Sequence, residues 1–183
     1  GWGHAAGIVL PGAAYPMREV RAVKRTWQTY AFWIALAELT GALSGWLTRA
    51  GTERFQASVR QPPLSPPGMV FPIVWAVLFA LMGAGAARVR LAPPSPQRTA
   101  AMRWFGAQLV FNFFWSILFF NLQAYGPALF WLVALWCLIL GMLLAFRAVD
   151  RTAGRLQIPY LLWVTFAAYL NLGVWLLNRQ PPA

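Results

Sequence analysis

The chain has 183 residues, 60% of them hydrophobic and only 10% charged, with a mean hydropathy of +0.55. Soluble domains carry about 25% charged residues, so this composition excludes a soluble catalytic module and indicates a protein built for a membrane. A net charge of +11 would suit nucleic acid, but the basic residues cluster beside apolar stretches in the pattern of a membrane protein, which excludes that partner.

The first sixteen residues lack the basic start and long apolar core of a signal peptide. They are expected to be disordered or surface-lying. Met17, followed by the basic run Arg18, Arg21, Lys24 and Arg25, reads as a natural start, with what precedes it an upstream extension. Residues 1–26 are therefore set apart as an N-terminal segment, and residues 27–180 as one transmembrane domain.

Five apolar stretches of about 20 residues follow, each long enough to cross ~30 Å of hydrocarbon as an α-helix. In lipid the backbone must satisfy its own hydrogen bonds, so the fold class is an all-α membrane protein, a five-transmembrane-helix bundle. The first span runs from about Trp27 to Leu47 and contains Glu38, whose carboxyl within a span marks either a functional group or an interhelical hydrogen bond. Gly41 and Gly45 permit close helix approach there. Residues 48–70 form the longest connection and end in Gln61-Pro62-Pro63-Leu64-Ser65-Pro66-Pro67-Gly68, an extended, stiff path suited to a lid.

The second span, Val70 to Arg88, carries Trp75, Phe79 and Met82 along one face. Small residues at Ala76, Ala80, Gly83 and Ala87 would permit a homodimer seam and would serve packing within the chain equally well. The third span, Met102 to Leu122, aligns Gln108, Asn112, Trp115, Ser116 and Phe119 in one stripe, which must face protein or a cavity because an amide facing lipid costs several kcal/mol. The fourth, Ala128 to Arg147, is apolar all round and reads as scaffold, with Trp131, Trp136 and Cys137, the last a small apolar filler. The fifth, Gln157 to Leu177, places Trp163, Ala167, Leu170, Asn171 and Val174 on one face.

With five spans, eleven of the 15 Lys and Arg fall on the side of the N-terminus. By the positive-inside rule the N-terminus is cytoplasmic in a multi-pass protein, here assigned to a bacterial cell membrane. One cysteine (Cys137) and one histidine (His4), far apart, exclude a zinc site built on them and a Cys/His nucleophile, so no metal is assigned. Of the 11 Trp, Trp2, Trp27, Trp46, Trp104 and Trp175 stand near span ends, where indoles form an interfacial belt. Trp75, Trp115 and Trp163 share faces with small or polar residues, as the walls of an aromatic cavity would, and such a cavity suits a flat hydrophobic ligand as well as plain helix packing does.

Three segments carry a resemblance. Pro62 and Pro66-Pro67-Gly68 lead into Val74-Trp75-Ala76-Val77-Leu78-Phe79; Gln108-Leu109-Val110-Phe111-Asn112-Phe113-Phe114-Trp115-Ser116 is followed by Phe119-Phe120; and Ile158-Pro159-Tyr160-Leu161-Leu162-Trp163 is followed by Ala167 and Leu170-Asn171. In order and on these helices they resemble the TspO/MBR family of translocator and tryptophan-rich sensory proteins, over about residues 30–180.

The resemblance implies a pocket closed by the first loop that takes porphyrin or haem-like tetrapyrroles and, in animals, cholesterol and benzodiazepine-type ligands. The implied ligand-binding residues are Pro66, Trp75, Phe79, Asn112, Trp115, Ser116, Trp163 and Ala167. No cofactor is required; the expected partners are the lipid bilayer and a hydrophobic small molecule, for sensing, sequestration or transport. Some bacterial relatives are reported to degrade protoporphyrin under light and oxygen, which keeps an oxidative enzyme resting on Trp75 and Trp163 as the alternative; no catalytic residue is assigned. The chain departs from the family pattern at Phe55-Gln56, where Trp-Tyr is usual, at Leu64, where Trp is usual, and at Leu172 in the cholesterol-recognition segment.

Overall fold

The computed structural model describes residues 17–179; Trp2, His4 and the rest of the first sixteen residues lie outside it. Helix α1, Met17–Leu47, begins ten residues before the expected span. No proline or glycine interrupts it before Gly41, and the Thr26 and Thr29 hydroxyls donate to the carbonyls one turn back. Its 31 residues reach about 46 Å, more than the hydrocarbon thickness, so the basic first turns project beyond the span. The boundary drawn at residue 26 is therefore not a structural one, since 17–26 and the span are one helix.

The connection of residues 48–70 is not extended throughout. Its first half is helix α2, Arg49–Ser58, which buries Gly51 and Phe55, and only from Val59 onward does the chain run irregularly through the prolines. Helix α3, Val70–Leu91, follows. Helix α4, Pro96–Ser116, starts earlier than expected because Ser95 caps it, accepting from the Arg98 N–H at 3.0 Å, with Pro96 at a position that needs no donor. It continues into a π-helical turn, Ile117–Asn121, closed by Ala124 N–H donating to the Leu118 carbonyl, with Gln123 left-handed at φ 49°. Helices α5, Tyr125–Val149, α6, Arg151–Arg155, and α7, Ile158–Asn178, complete the chain.

Five long helices thus form the bundle. Among the described residues three segments are long and apolar enough to span a membrane by length and composition alone: Val70–Leu91, Tyr125–Val149 and Arg151–Asn178, the last containing α7. Helices α1 and α4 are long enough but carry more polar groups, several of them turned into the bundle: Ser44, Gln108 and Asn112 are all buried.

The helices pack through small residues. A Cβ at Gly83 would collide with the α1 backbone at Ile34, and one at Gly41 with the Phe79 ring, so α1 and α3 lie against each other. Gly83 and Ala87 are buried in that packing within the chain. Helices α4 and α5 meet through Trp131, which stacks on Phe111 at 4.2 Å and donates to its carbonyl at 2.8 Å. Trp136 joins α5 to α7 by donating to the Thr165 hydroxyl at 2.9 Å. Cys137 is exposed on the outer face of α5 and so is not a core filler. Trp46 is exposed at the end of α1, as a belt residue is; Trp27 and Trp104 are exposed too, but stand well inside α1 and α4 because both helices begin before the expected spans. At the basic end, Arg88 holds Asp150 through two nitrogens at 3.0 and 3.1 Å. That guanidinium holds the Asp150 carboxyl below the usual carboxylate range.

Candidate functional site: an aromatic cavity under a helical lid

Toward the opposite end, α1, α3, α4 and α7 enclose a cavity of about 590 Å³, covered by α2 and the proline-rich stretch. Small residues on α1, Gly41, Ala42 and Gly45, leave room on one side, and aromatic rings fill the others. Of the eight residues expected at the site, seven line this cavity: Trp75, Phe79, Asn112, Trp115, Ser116, Trp163 and Ala167. Pro66 does not. Its neighbour Ser65, which follows the turn at Leu64, faces the cavity instead.

The walls are fixed by contacts behind them. Trp75 packs on Phe79 at 5.7 Å and edge-on to Tyr160 at 6.1 Å; Trp163 meets Phe71 at 5.9 Å. Trp115 stacks on Phe119 at 5.0 Å and donates its indole N–H to Asn171 at 3.2 Å, while the Asn171 amide donates to the Tyr125 carbonyl at 2.8 Å. Asn112 donates to the Tyr160 hydroxyl at 2.7 Å, which donates to Gln108 at 2.8 Å. Rings and amides held this way cannot rotate freely, so the cavity is preorganised.

The lid is tied down along its length. Phe55 packs against both Phe119 and Phe120, at 5.3 and 5.4 Å, closing a triangle of rings. Arg54 donates to the Phe120 carbonyl at 3.1 Å, and Asn121 donates to the Leu47 carbonyl at 3.1 Å. Pro62 packs so closely on Gly173 that a Cβ there would strike its ring. The Tyr169 hydroxyl donates to the Pro63 carbonyl at 2.8 Å, and Asn178 exchanges two hydrogen bonds with the Arg60 backbone. Leu64 sits left-handed at φ 69° at the third position of a turn opened by Pro62-Pro63.

Polar groups collect at the lid end, where Thr48, Arg49, Thr52, Gln56 and Gln61 line the cavity, and Glu38 lines it from α1. Arg49 lies over the Trp46 ring at 4.4 Å and donates to the Trp46 carbonyl. The result is a chamber with an aromatic body and a polar, cationic rim.

Sequence reasoning named Phe55 only as a departure from the family pattern and Tyr160 only within a matching segment, and did not single out Tyr169 or Asn178. Tyr160 could have been found, since it stands seven residues before Ala167 on the buried face of α7. The lid anchors carry no periodic signal, because they meet an irregular strand of chain.

Comparisons with known proteins agree with this architecture. The model of the TspO/MBR family matches residues 33–176. Protein CrtK of Rhodobacter capsulatus is 34% identical over 66% of this chain and 76% of its own length. The tryptophan-rich protein TspO of Chlorobaculum tepidum is 34% identical over 82% of this chain and 96% of its own. The translocator protein of Bos taurus is 31% identical over 79% of this chain and 86% of its own. With the family match spanning all five long helices, the chain belongs to the TspO/MBR family, as an integral membrane protein.

Proposed function

We propose that this protein binds a flat hydrophobic ligand of the tetrapyrrole class, porphyrin or haem-like, inside the bundle, for sensing, sequestration or transport. The observation that carries the reading is the cavity: about 590 Å³, within the ordinary range of ligand sites, walled by Trp75, Trp115, Trp163 and Phe79 and covered by a lid. Indole faces supply stacking and burial for a conjugated ring. The cationic rim suits the carboxylates such pigments carry, with Arg49 as their partner.

No added cofactor is needed for binding. The protein sits multi-pass in a bacterial cell membrane with its N-terminus in the cytoplasm, and the lid then closes from the outer side. A homodimer seam on the small residues of α3 has little free surface, since Gly83 and Ala87 are buried within the chain and Ala76 lines the cavity.

Titration of purified protein with protoporphyrin, followed by quenching of Trp fluorescence, tests the reading; saturable quenching supports it and its absence refutes it. Illuminating the complex separates binding from chemistry. A shifted but stable absorbance means binding alone, whereas protein-dependent conversion to one defined product means an oxidative enzyme using the cavity indoles.

A further inference from the structure

Three side chains running inward from the cavity fix which end of the Asn112 amide a ligand meets. Met82, Gln108 and Tyr160 are fully buried, so each polar atom must find its partner within the protein. The chain ends at the Met82 sulfur, which can accept a hydrogen bond and cannot donate one. Gln108 therefore turns its Nε2 toward Met82, at 3.6 Å, and its Oε1 toward Tyr160. The Tyr160 hydroxyl has one proton and must give it to that Oε1, at 2.8 Å. Its oxygen is left to accept, and it accepts from Asn112 Nδ2 at 2.7 Å.

The Asn112 oxygen is the remaining end. Asn112 lines the cavity, no donor among the described residues is bonded to its Oδ1, and that atom is not among the sealed, unpartnered ones, Tyr125 OH and Gln157 Oε1. Of the other amides lining the cavity, Gln56 and Gln61 belong to the lid end, and Asn171 has its oxygen engaged by Trp115 and its nitrogen by the Tyr125 carbonyl.

From this relay we infer that Asn112 presents a locked hydrogen-bond acceptor to the cavity, so that at this wall a ligand edge bearing an N–H or O–H donor is favoured over one carrying acceptors alone, while carboxylates are met at the rim by Arg49. The inference rests on the binding reading above and names the chemistry of its ligand. Tyr160, Gln108 and Met82 act as positioning residues, because they set the polarity of Asn112 without reaching the cavity. Turning the amide over would set its Oδ1 against the Tyr160 oxygen, whose proton is already committed.

The test uses two pigment diesters in wild type and two variants, read by quenching of Trp fluorescence. Biliverdin dimethyl ester carries lactam N–H groups at both ends; protoporphyrin dimethyl ester carries only ester acceptors at its edge, with its N–H groups at the ring centre. Shape differences between the pigments cancel when the affinity ratio is compared across variants. Tyr160→Phe removes the relay and frees the Asn112 amide to turn, so the biliverdin-to-porphyrin affinity ratio should fall by about 2- to 10-fold, the worth of one hydrogen bond. Met82→Leu keeps the core volume and removes the terminal acceptor, so the ratio should fall in the same direction by less; it decides the matter if Tyr160→Phe does not fold. A ratio unchanged in the folded variants, with both pigments bound, would overturn the polarity lock and leave the binding reading standing. Failure of wild type to bind either pigment would overturn the binding reading, and this inference with it.

Discussion

Asn178, in the last turn of α7, grips Arg60 by both ends of its amide: Nδ2 donates to the Arg60 carbonyl at 2.8 Å, and Oδ1 accepts from the Arg60 N–H at 3.1 Å. The two residues are 118 positions apart, so this pair fastens the lid to the far end of the chain. Asn178→Ala should lower stability by about 1–2 kcal/mol and loosen the lid before the bundle. Hydrogen exchange should rise over residues 58–64 and stay unchanged over α5. Equal exchange at both sites would mean that Asn178 does not hold the lid.

The turn at Leu64 is strained. The φ of 69° is left-handed, where a side chain other than that of glycine or asparagine is disfavoured by about 1 kcal/mol, and the Leu64 side chain is 82% exposed and so packs little. Leu64→Gly should therefore raise thermal stability, by roughly 0.5 kcal/mol once the greater freedom of glycine in the unfolded chain is set against the relief. A lowered melting temperature would show that the Leu64 side chain makes contacts that outweigh the strain.

At the opposite end, the Arg88 guanidinium holds the Asp150 carboxyl below its ordinary value, and Asp150 also accepts from the Ala153 N–H at 2.8 Å to cap α6. A carboxyl depressed in the folded state contributes stability that is fully present above its unfolded value, ~4, and is lost as pH falls through the folded value. Thermal stability of wild type should decline below about pH 4. Asp150→Asn should be less stable at neutral pH and show a shallower decline in acid. Parallel curves for the two proteins would remove the ion pair from the account.

The proposed orientation is testable: with five spans, eleven of the 15 basic residues fall on the side of the N-terminus, which the positive-inside rule expects in the cytoplasm. In a Cys137→Ala background, Gln97→Cys in the exposed first turn of α4 should resist impermeant thiol reagents in intact cells and react once the cells are opened. Labelling from outside would invert the topology.

How much could be read before the structure differs by element. The spans and the lining faces of α4 and α7 were legible because a helix repeats its faces every 3.6 residues, so Asn112 with Trp115 and Ser116, or Trp163 with Ala167, declare a common side. Helix α2 was not legible. Its sequence is polar, its buried residues are Gly51 and Phe55, and what fixes it is Phe55 packing against Phe119 and Phe120, a contact more than sixty residues away. The role of Pro66 failed for a related reason, since its neighbour Ser65 faces the cavity, and an irregular run has no period from which to read which side chain turns inward.

The central claim is that a flat pigment stacks inside the cavity, and titration of protoporphyrin against Trp fluorescence in three variants tests it most directly. Trp163→Ala removes a cavity wall and should weaken binding by roughly 1–3 kcal/mol, or about 5- to 150-fold. Ala167→Phe should block the site by filling it, since Ala167 lines the same cavity. Trp131→Ala, which breaks the stack on Phe111 outside the cavity, should cost about 2–3 kcal/mol of stability and leave affinity near that of wild type. Equal affinities for wild type, Trp163→Ala and Ala167→Phe, with all three proteins folded, would contradict the account.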